Sequence, residues 1–409
     1  MIADNQALTL NALRVTDESL DRQVQTAALY GQAALDQLDM RISELAGPAQ
    51  EAAVFVRIAV AIQMRTDDLG DLASKHVTEF TRAVREACWF YPVPNGLFND
   101  DCSHVPALFE HGAAFTPLRL LAIELAGLRD VQSMLPQIKE LVTEPASESV
   151  ATLALTRLGA ATAAMHSLAA DCVTSGIDER CYAAMALIAC DPRIADDGLL
   201  ELALNLDPII ADQAWAIATS RDPRSAVDHA AARRDMPPAQ RARIMAMAGY
   251  PDSIINACAE IAETEGEVTV SQADLLELTL GSIPVEARCV PNSKAEKSRA
   301  LRTLVLRVFR EAHIGLRNDA DIDGWQVDSI LAHPTQAKQV RLRDGRVLSL
   351  KVPPLGRAIQ EVSHPLRQWL YIERATTAQR VFSLSAFDVA RRQDTSMTAA
   401  EFVDAMVDR

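Results

Sequence analysis

Four short polar breaks interrupt the apolar helical pattern of this chain at a recurring interval, and that recurrence limits what it can fold into. They read GLRD at Gly127 to Asp130, ACDP at Ala189 to Pro192, SRDP at Ser220 to Pro223 and GYPD at Gly249 to Asp252. Their aspartates, Asp130, Asp191, Asp222 and Asp252, stand 61, 31 and 30 residues apart, so one more unit fits the first gap. The segment VATLALTRLGAATAAMHSLAADCV, Val150 to Val173, supplies it, with Gly159 at its turn but no aspartate. Around the first break, Leu118, Leu120, Leu121, Ile123 and Leu125 crowd one side, while Val131, Met134, Leu135, Ile138, Leu141 and Val142 recur at three-to-four spacing on the other. That spacing predicts two helices joined by a tight turn. Helix pairs repeated every thirty or so residues bury their apolar faces against the neighbouring pairs, which predicts a stacked array.

Each aspartate is placed to accept a backbone N–H left unpaired in the first turn of the second helix. Pro192 and Pro223 follow at once and suit the first helical position, where a missing N–H costs nothing. An arginine stands eleven residues before three of the aspartates: Arg119, Arg180 and Arg241. Arg–Asp pairs tying adjacent turns together and independent solvated charges are equally good readings of that spacing. Pro136 means that the second helix of the opening pair either starts late, after a 3₁₀ turn, or bends there. Many alanines in the first helices allow close approach, and Trp215 and Tyr182 read as large core fillers.

This pattern resembles the HEAT-like repeat superfamily in its short-repeat form, in which an Arg begins the first helix and an Asp or Asp-Pro starts the second. The resemblance covers about Pro117 to Ile283 and implies an all-α fold, an α-solenoid of HEAT-like helix pairs. The chain also looks like a bacterial family of similar length with HEAT-like repeats, members of which occur near type VI secretion clusters. Three stretches carry that likeness: TDDLGDLASKHVTEFTRAVREACW before the repeats, GRVLSLKVPPLGRAIQEV after them, and HPLRQWLYIERA followed by FSLSAFDVARRQ.

Composition agrees with an array. Hydrophobic residues are 49% of the 409, yet aromatics are only 5%, so the apolar content is mostly the aliphatic kind that fills helix interfaces. Charge is uneven: residues 285–409 carry 20 basic and 15 acidic side chains, net +5, which leaves 20 basic and 40 acidic, net −20, before them. Such an acidic body disfavours nucleic acid, whose phosphates need cations to displace counterions. Seven cysteines without a Cys-x-x-Cys pair read as reduced thiols in the cytoplasm, with Cys172, Cys181 and Cys190 as small core residues. No apolar run reaches membrane-span length, and no secretory signal is read at the start, so no membrane insertion is expected.

Three regions are expected: an N-terminal helical region at 1–112, the repeat array at 113–284, and a C-terminal helical region at 285–409. Helices are predicted at Ser19 to Leu45, Ala49 to Met64 and Asp67 to Trp89, with Gly47-Pro48 as a break. The loop that follows gathers Asp100, Asp101, Cys102, His104, Glu110 and His111, which lack the compact spacing of a zinc site; no metal and no cofactor are expected. From Ser293 to Arg317 a basic amphipathic helix sets Leu301, Leu304, Val305, Val308 and Ala312 against Arg299, Arg302, Arg310 and Arg317. A solvated face, a contact for acidic protein and a phosphate or membrane surface all fit those arginines. Then RLRDGRVLSLK alternates around Asp344-Gly345 and predicts a β-hairpin near 339–351. Helices are expected at His364 to Ala375, Arg380 to Gln393 and Thr398 to Val407.

No glycine-rich phosphate loop, His-Glu-x-x-His pair or Gly-x-Ser-x-Gly elbow occurs in the chain. Helical repeats mostly present extended surfaces to partners, which favours a protein-binding scaffold or adaptor, with secretion-system cargo among the partners. The alternative is an enzyme on a HEAT-like scaffold, of the bilin lyase or DNA glycosylase kind. On the second helices the acids Asp196, Asp197, Glu201, Asp228, Glu260 and Glu263 crowd an inner wall, which fits either the attraction of a basic partner or a plain solvated surface that keeps the protein soluble.

Overall fold

The computed structural model describes residues 10–92, 102–160, 199, 203–204, 208–233, 235–264, 269–281, 293–317, 324–337, 339–348 and 364–378. Helix dominates these residues and their only sheet is a two-stranded hairpin, so the chain is all-α in class. The described residues of 11–194 form one compact unit and those of 195–379 another, so the span 113–284 falls partly in each.

In the first unit, α1 (Leu10–Leu29), α2 (Gln32–Glu44) and α3 (Pro48–Met64) follow in order. The single helix expected from Ser19 to Leu45 is divided, because Gly31 takes a φ of 60° that only glycine adopts freely. The predicted break at Gly47-Pro48 stands, with Pro48 at the start of α3. Val54, Ile58, Val60 and Ile62 make α3 the buried centre of this region. Arg57 lies buried among them, donating through Nε to Asp39 Oδ1 at 3.0 Å and through Nη2 to Asp68 Oδ2 at 3.5 Å. The Arg57 guanidinium thereby ties α2 to the start of α4 (Leu69–His76).

The helix expected from Asp67 to Trp89 is also two: α4 ends at His76, and α5 (Thr81–Phe90) begins after Phe80 leaves the helical region at φ −122°, ψ 45°. Next come α6 (His104–His111), α7 (Thr116–Leu128), α8 (Leu135–Leu141) and α9 (Glu148–Arg157). Asp130 turns the chain between α7 and α8 with a φ of 52° while Val131 N–H donates to Ala126 at 2.9 Å. It is thus a left-handed turn residue and not a helix cap. Of the two outcomes expected from Pro136, the late start is observed, after a 3₁₀ turn at Gln132–Met134. Gly127 is no turn residue either. It sits in α7 where a Cβ would lie 2.7 Å from the Cα of Ala154, so its absence of a side chain lets α9 approach. Gly159 ends the α9 turn with φ 68°, as its place in the repeat suggested.

The second unit contains α10 (Pro208–Arg221), α11 (Pro223–Ala232), α12 (Pro238–Ala248), α13 (Pro251–Glu263), α14 (Val270–Leu280) and α15 (Lys294–Glu311). Here α10 packs on α11 and α12, α12 on α13 and α14, and α13 on α15. Trp215 is buried as a core filler; Tyr182 lies outside the described residues, as do Asp191, Arg180, Cys172, Cys181 and Cys190.

Asp222 caps α11 as expected, its Oδ1 accepting the Ser225 N–H at 3.1 Å, with Pro223 at the first helical position. Asp252 does not hold the cap position of its helix, but it lies in the first turn and its Oδ1 accepts the Ser253 backbone N–H at 3.0 Å, so its side chain faces an exposed amide as expected. Tyr250 occupies the cap position of α13 and Pro251 the first helical one, so prolines, and not aspartates, mark equivalent places. Asp252 Oδ2 also accepts from Arg224 Nη1 at 2.7 Å, joining α11 to α13. Nor do the upstream arginines reach those aspartates: Arg119 lies 3.6 Å from Glu144, and Arg241 grips Glu260 in two bonds of 2.7 and 3.0 Å. First helices are linked by Arg243 of α12, which donates to Asp212 of α10 at 2.7 Å.

After α15 come two short helices, α16 (Val327–Ile330) and α17 (Pro334–Ala337), then strands β1 (Leu342–Arg343) and β2 (Arg346–Val347), and α18 (His364–Ala378). The strands pair antiparallel through Asp344-Gly345, both at positive φ (51° and 66°), the two-residue turn that the Asp-Gly pair predicted. The hairpin docks on helix ends: Leu342 N–H donates to Gly249 at 2.7 Å, Asp344 N–H to Leu278 at 2.9 Å and Gly345 N–H to Thr279 at 3.1 Å. Arg343 donates to both oxygens of Glu373 on α18 at 2.8 and 3.0 Å, and Trp369 of α18 donates from Nε1 to Asp212 Oδ2 at 2.8 Å. The segments expected as helices at Arg380 to Gln393 and Thr398 to Val407 lie outside the described residues.

Two stability outcomes follow from these contacts. Asp222→Ala should lower the urea-unfolding free energy by about 1 kcal/mol, and Asp222→Ser should retain most of it, because a hydroxyl also accepts the Ser225 N–H. Asp212→Ala should cost more, about 1.5–3 kcal/mol, since it strands both a guanidinium and an indole N–H. Equal losses at the two positions would contradict this ranking.

Candidate functional site

In the second unit the second helices α11 and α13, followed by α15, carry the charged side chains singled out from the sequence. Their apolar faces are spent on packing: Ala226, Val227 and Ala230 of α11, Ile254, Ile255 and Cys258 of α13, and Leu301, Leu304, Val305 and Val308 of α15 are buried. The charged residues therefore occupy the remaining sides, as amphipathic spacing requires.

The acids fare differently from one another. Asp228 is exposed on α11. Glu263 is exposed at the end of α13, 3.5 Å from Lys294 Nζ at the start of α15. Glu260 is half-buried and pairs with Arg241 at 2.7 Å. Asp196, Asp197 and Glu201 lie outside the described residues.

The arginines of the basic helix also divide. Arg299 and Arg310 are exposed on α15 and Arg302 is half-buried. Arg317 lies beyond the helix and donates from Nη1 to the Asp328 carbonyl at 3.0 Å, so it serves the turn at α16 as a backbone tie. Phe309, the sole bulky aromatic in that segment, is buried in the unit. A charge the sequence pattern left aside, Lys297, is fully buried and donates to the Thr264 carbonyl at 2.7 Å where α13 ends.

Cys102, His104 and His111 face separate partners. His104 Nε2 lies 2.9 Å from the Cys88 carbonyl, Cys102 Sγ is 3.9 Å from the Arg129 carbonyl, and His111 Nε2 is 3.3 Å from Asp71 Oδ1. Asp100 and Asp101 lie outside the described residues. No group of three or more His, Cys, Asp or Glu gathers in metal-binding geometry among the described residues. Burial pushes the thiols of Cys88 and Cys258 up to about 12, so both stay protonated and unreactive at neutral pH.

Sequence reasoning missed the ionic contacts that organise the unit. Arg341 donates from Nε to the Ala248 carbonyl at 2.7 Å, and Arg343 donates to the Met247 carbonyl at 3.2 Å as well as to Glu373. Burial pulls the Arg343 guanidinium below its usual range, with Glu373 opposing that shift. The alternation in RLRDGRVLSLK was a usable signal, because it sets Arg341 and Arg343 on one side of the first strand. Nothing local marked Asp212 or Glu373 as their partners' counterparts. Among the described residues, no helix is long and apolar enough to cross a membrane. Comparison with protein-family models, with curated proteins and with solved structures found no match to this chain.

The buried thiols give a direct check of the packing. Under native conditions iodoacetamide should modify half-buried Cys102 well before Cys88 or Cys258, as read by peptide mass mapping. Alkylation of Cys258 at the rate of Cys102 in folded protein would show that α13 is not held as described.

Proposed function

We propose that this chain is a helical-repeat scaffold, an α-solenoid of HEAT-like pairs, whose second helices offer a charged surface to a protein partner. The observation that carries the reading is the pair of ionic links one repeat apart. Arg243 to Asp212 joins successive first helices, and Arg224 to Asp252 joins successive second helices. Such lateral ties are what a stack of similar units needs, each pair contacting its neighbours only. Asp228 and Glu263 remain exposed on α11 and α13, Glu263 in a solvent-exposed pair with Lys294, and Arg299 and Arg310 are exposed on α15. The resemblance noted from the sequence makes a secretion-system protein with a basic face the first partner class to try.

Exposed charges of this kind act mainly on the rate of encounter and fade as salt screens them. Asp228→Lys combined with Glu263→Lys should slow association with the natural partner by about tenfold at low salt, a difference that shrinks as ionic strength rises. Circular dichroism should be unaltered, because neither side chain is buried. Association kinetics indifferent to the double reversal would move the binding surface elsewhere. Recovery of nucleic acid in place of protein on native capture would overturn the scaffold reading itself.

A further inference from the structure

The first unit carries a surface that the repeat reading does not use. Six large apolar side chains are exposed among the described residues, and four of them, Val15 (70%), Leu29 (88%), Tyr30 (72%) and Met40 (50%), lie on α1, α2 or the turn between them. Isolated exposed hydrophobes are ordinary, but a cluster on two consecutive helices marks a contact surface.

Beside that cluster runs a groove of about 700 Å³ between α1 and α2, reaching Val56 of α3. Its floor is low because Ala27, Ala33 and Ala34 line it, and Tyr30 stands at its edge. Among the described residues, Arg22 and Arg41 are the charged ones lining it and no carboxylate does, although the chain as a whole has a net charge of −15. Their own helices provide acids just outside: Glu18 lies 3.7 Å from Arg22, and Glu44 lies 3.3 Å from Arg41. All four side chains are at least half exposed, so these pairs hold weakly and are free to exchange for other partners.

We propose that α1 and α2 form a self-complementary interface between two copies of this chain, the Leu29–Tyr30 projection of each copy entering the alanine-floored groove of the other. A two-fold interface uses one patch twice, so projection and recess must share a face: Tyr30 lines the recess itself, and Leu29 stands two helical turns after the lining Arg22, on the same side of α1. The charges satisfy the same condition, since one face supplies both Arg22 and Arg41 and the carboxylates Glu18 and Glu44 to meet them. A foreign apolar helix would fill the recess but would leave Leu29 and Tyr30 in water. This inference concerns the first unit and stands apart from the repeat reading of the second.

Sedimentation of the full chain across the micromolar range is the test. The wild type should sediment as a dimer whose dissociation constant rises about tenfold or more in Ala34→Arg, which fills the recess, and in Tyr30→Glu, which charges the projection. Leu29→Ser, at the most exposed of these side chains, should weaken it in the same direction without adding charge or bulk. Circular dichroism should match the wild type in all three. A wild type that stays monomeric throughout that range overturns the proposal, as does a dimer that all three variants leave unchanged. Protection of Tyr30 by a different protein bound to a monomer would overturn it too.

Discussion

Asp212 offers its two oxygens to two different helices, and much of the second unit is organised around that division. One oxygen accepts from Arg243, 31 residues further along the chain, and the other accepts from the indole of Trp369, far downstream. A carboxylate held this way has little freedom to move, because displacing it strands a guanidinium and an indole N–H together. The result is that Asp212 is one polar point shared by α10, α12 and α18, and Arg343, bonded to the end of α12 and to Glu373, is another tie between α12 and α18. Apolar faces rich in alanine slide past one another at small cost; directional bonds stop them.

A second device recurs in both units, the use of a cation to finish a helix. Arg129 collects the carbonyls of Cys88, Trp89 and Tyr91 at the end of α5, its bond to Tyr91 measuring 2.6 Å. Lys297 reaches the end of α13, and Arg341 and Arg343 reach the end of α12. The last carbonyls of a helix lack intrahelical partners and carry its partial negative charge, so a positive donor answers both needs. Each of these cations comes from a distant segment, and so each also fastens one element to another.

The parts of the structure that were legible beforehand are those governed by neighbours in sequence. Asp222 as a cap, the two-residue turn at Asp344-Gly345 and the buried face of α15 all depend on spacing within a dozen residues, which periodicity and turn chemistry report. The breaks at Gly31 and Phe80 were missed because apolar spacing runs through them without interruption. Asp252 differs from Asp222 because its proline precedes it: Pro251 opens the helix, Tyr250 takes the cap position, and Asp252 accepts the Ser253 N–H from inside the first turn. The long-range ties, such as Arg343 to Glu373 thirty residues on, left no local mark at all. The candidate surface was legible only in part: the spacing that expected Asp228 and Glu263 on a polar face agrees with their exposure, but it could not reveal that Glu260 is held by Arg241.

The one-repeat spacing of the ionic links has a consequence for how such a gene can change length. Arg243 and Asp212 are 31 residues apart and Arg224 and Asp252 are 28 apart, each separated by intervening helix and turn. Inserting one residue in the first half of α12 would rotate Arg243 by about 100° relative to the start of that helix and carry it away from Asp212. Adding the same residue to the turn after Ala232 would leave the helical phases intact. Insertions and deletions in related genes should therefore collect in the inter-pair turns, while the reading frame of each helix stays fixed in length.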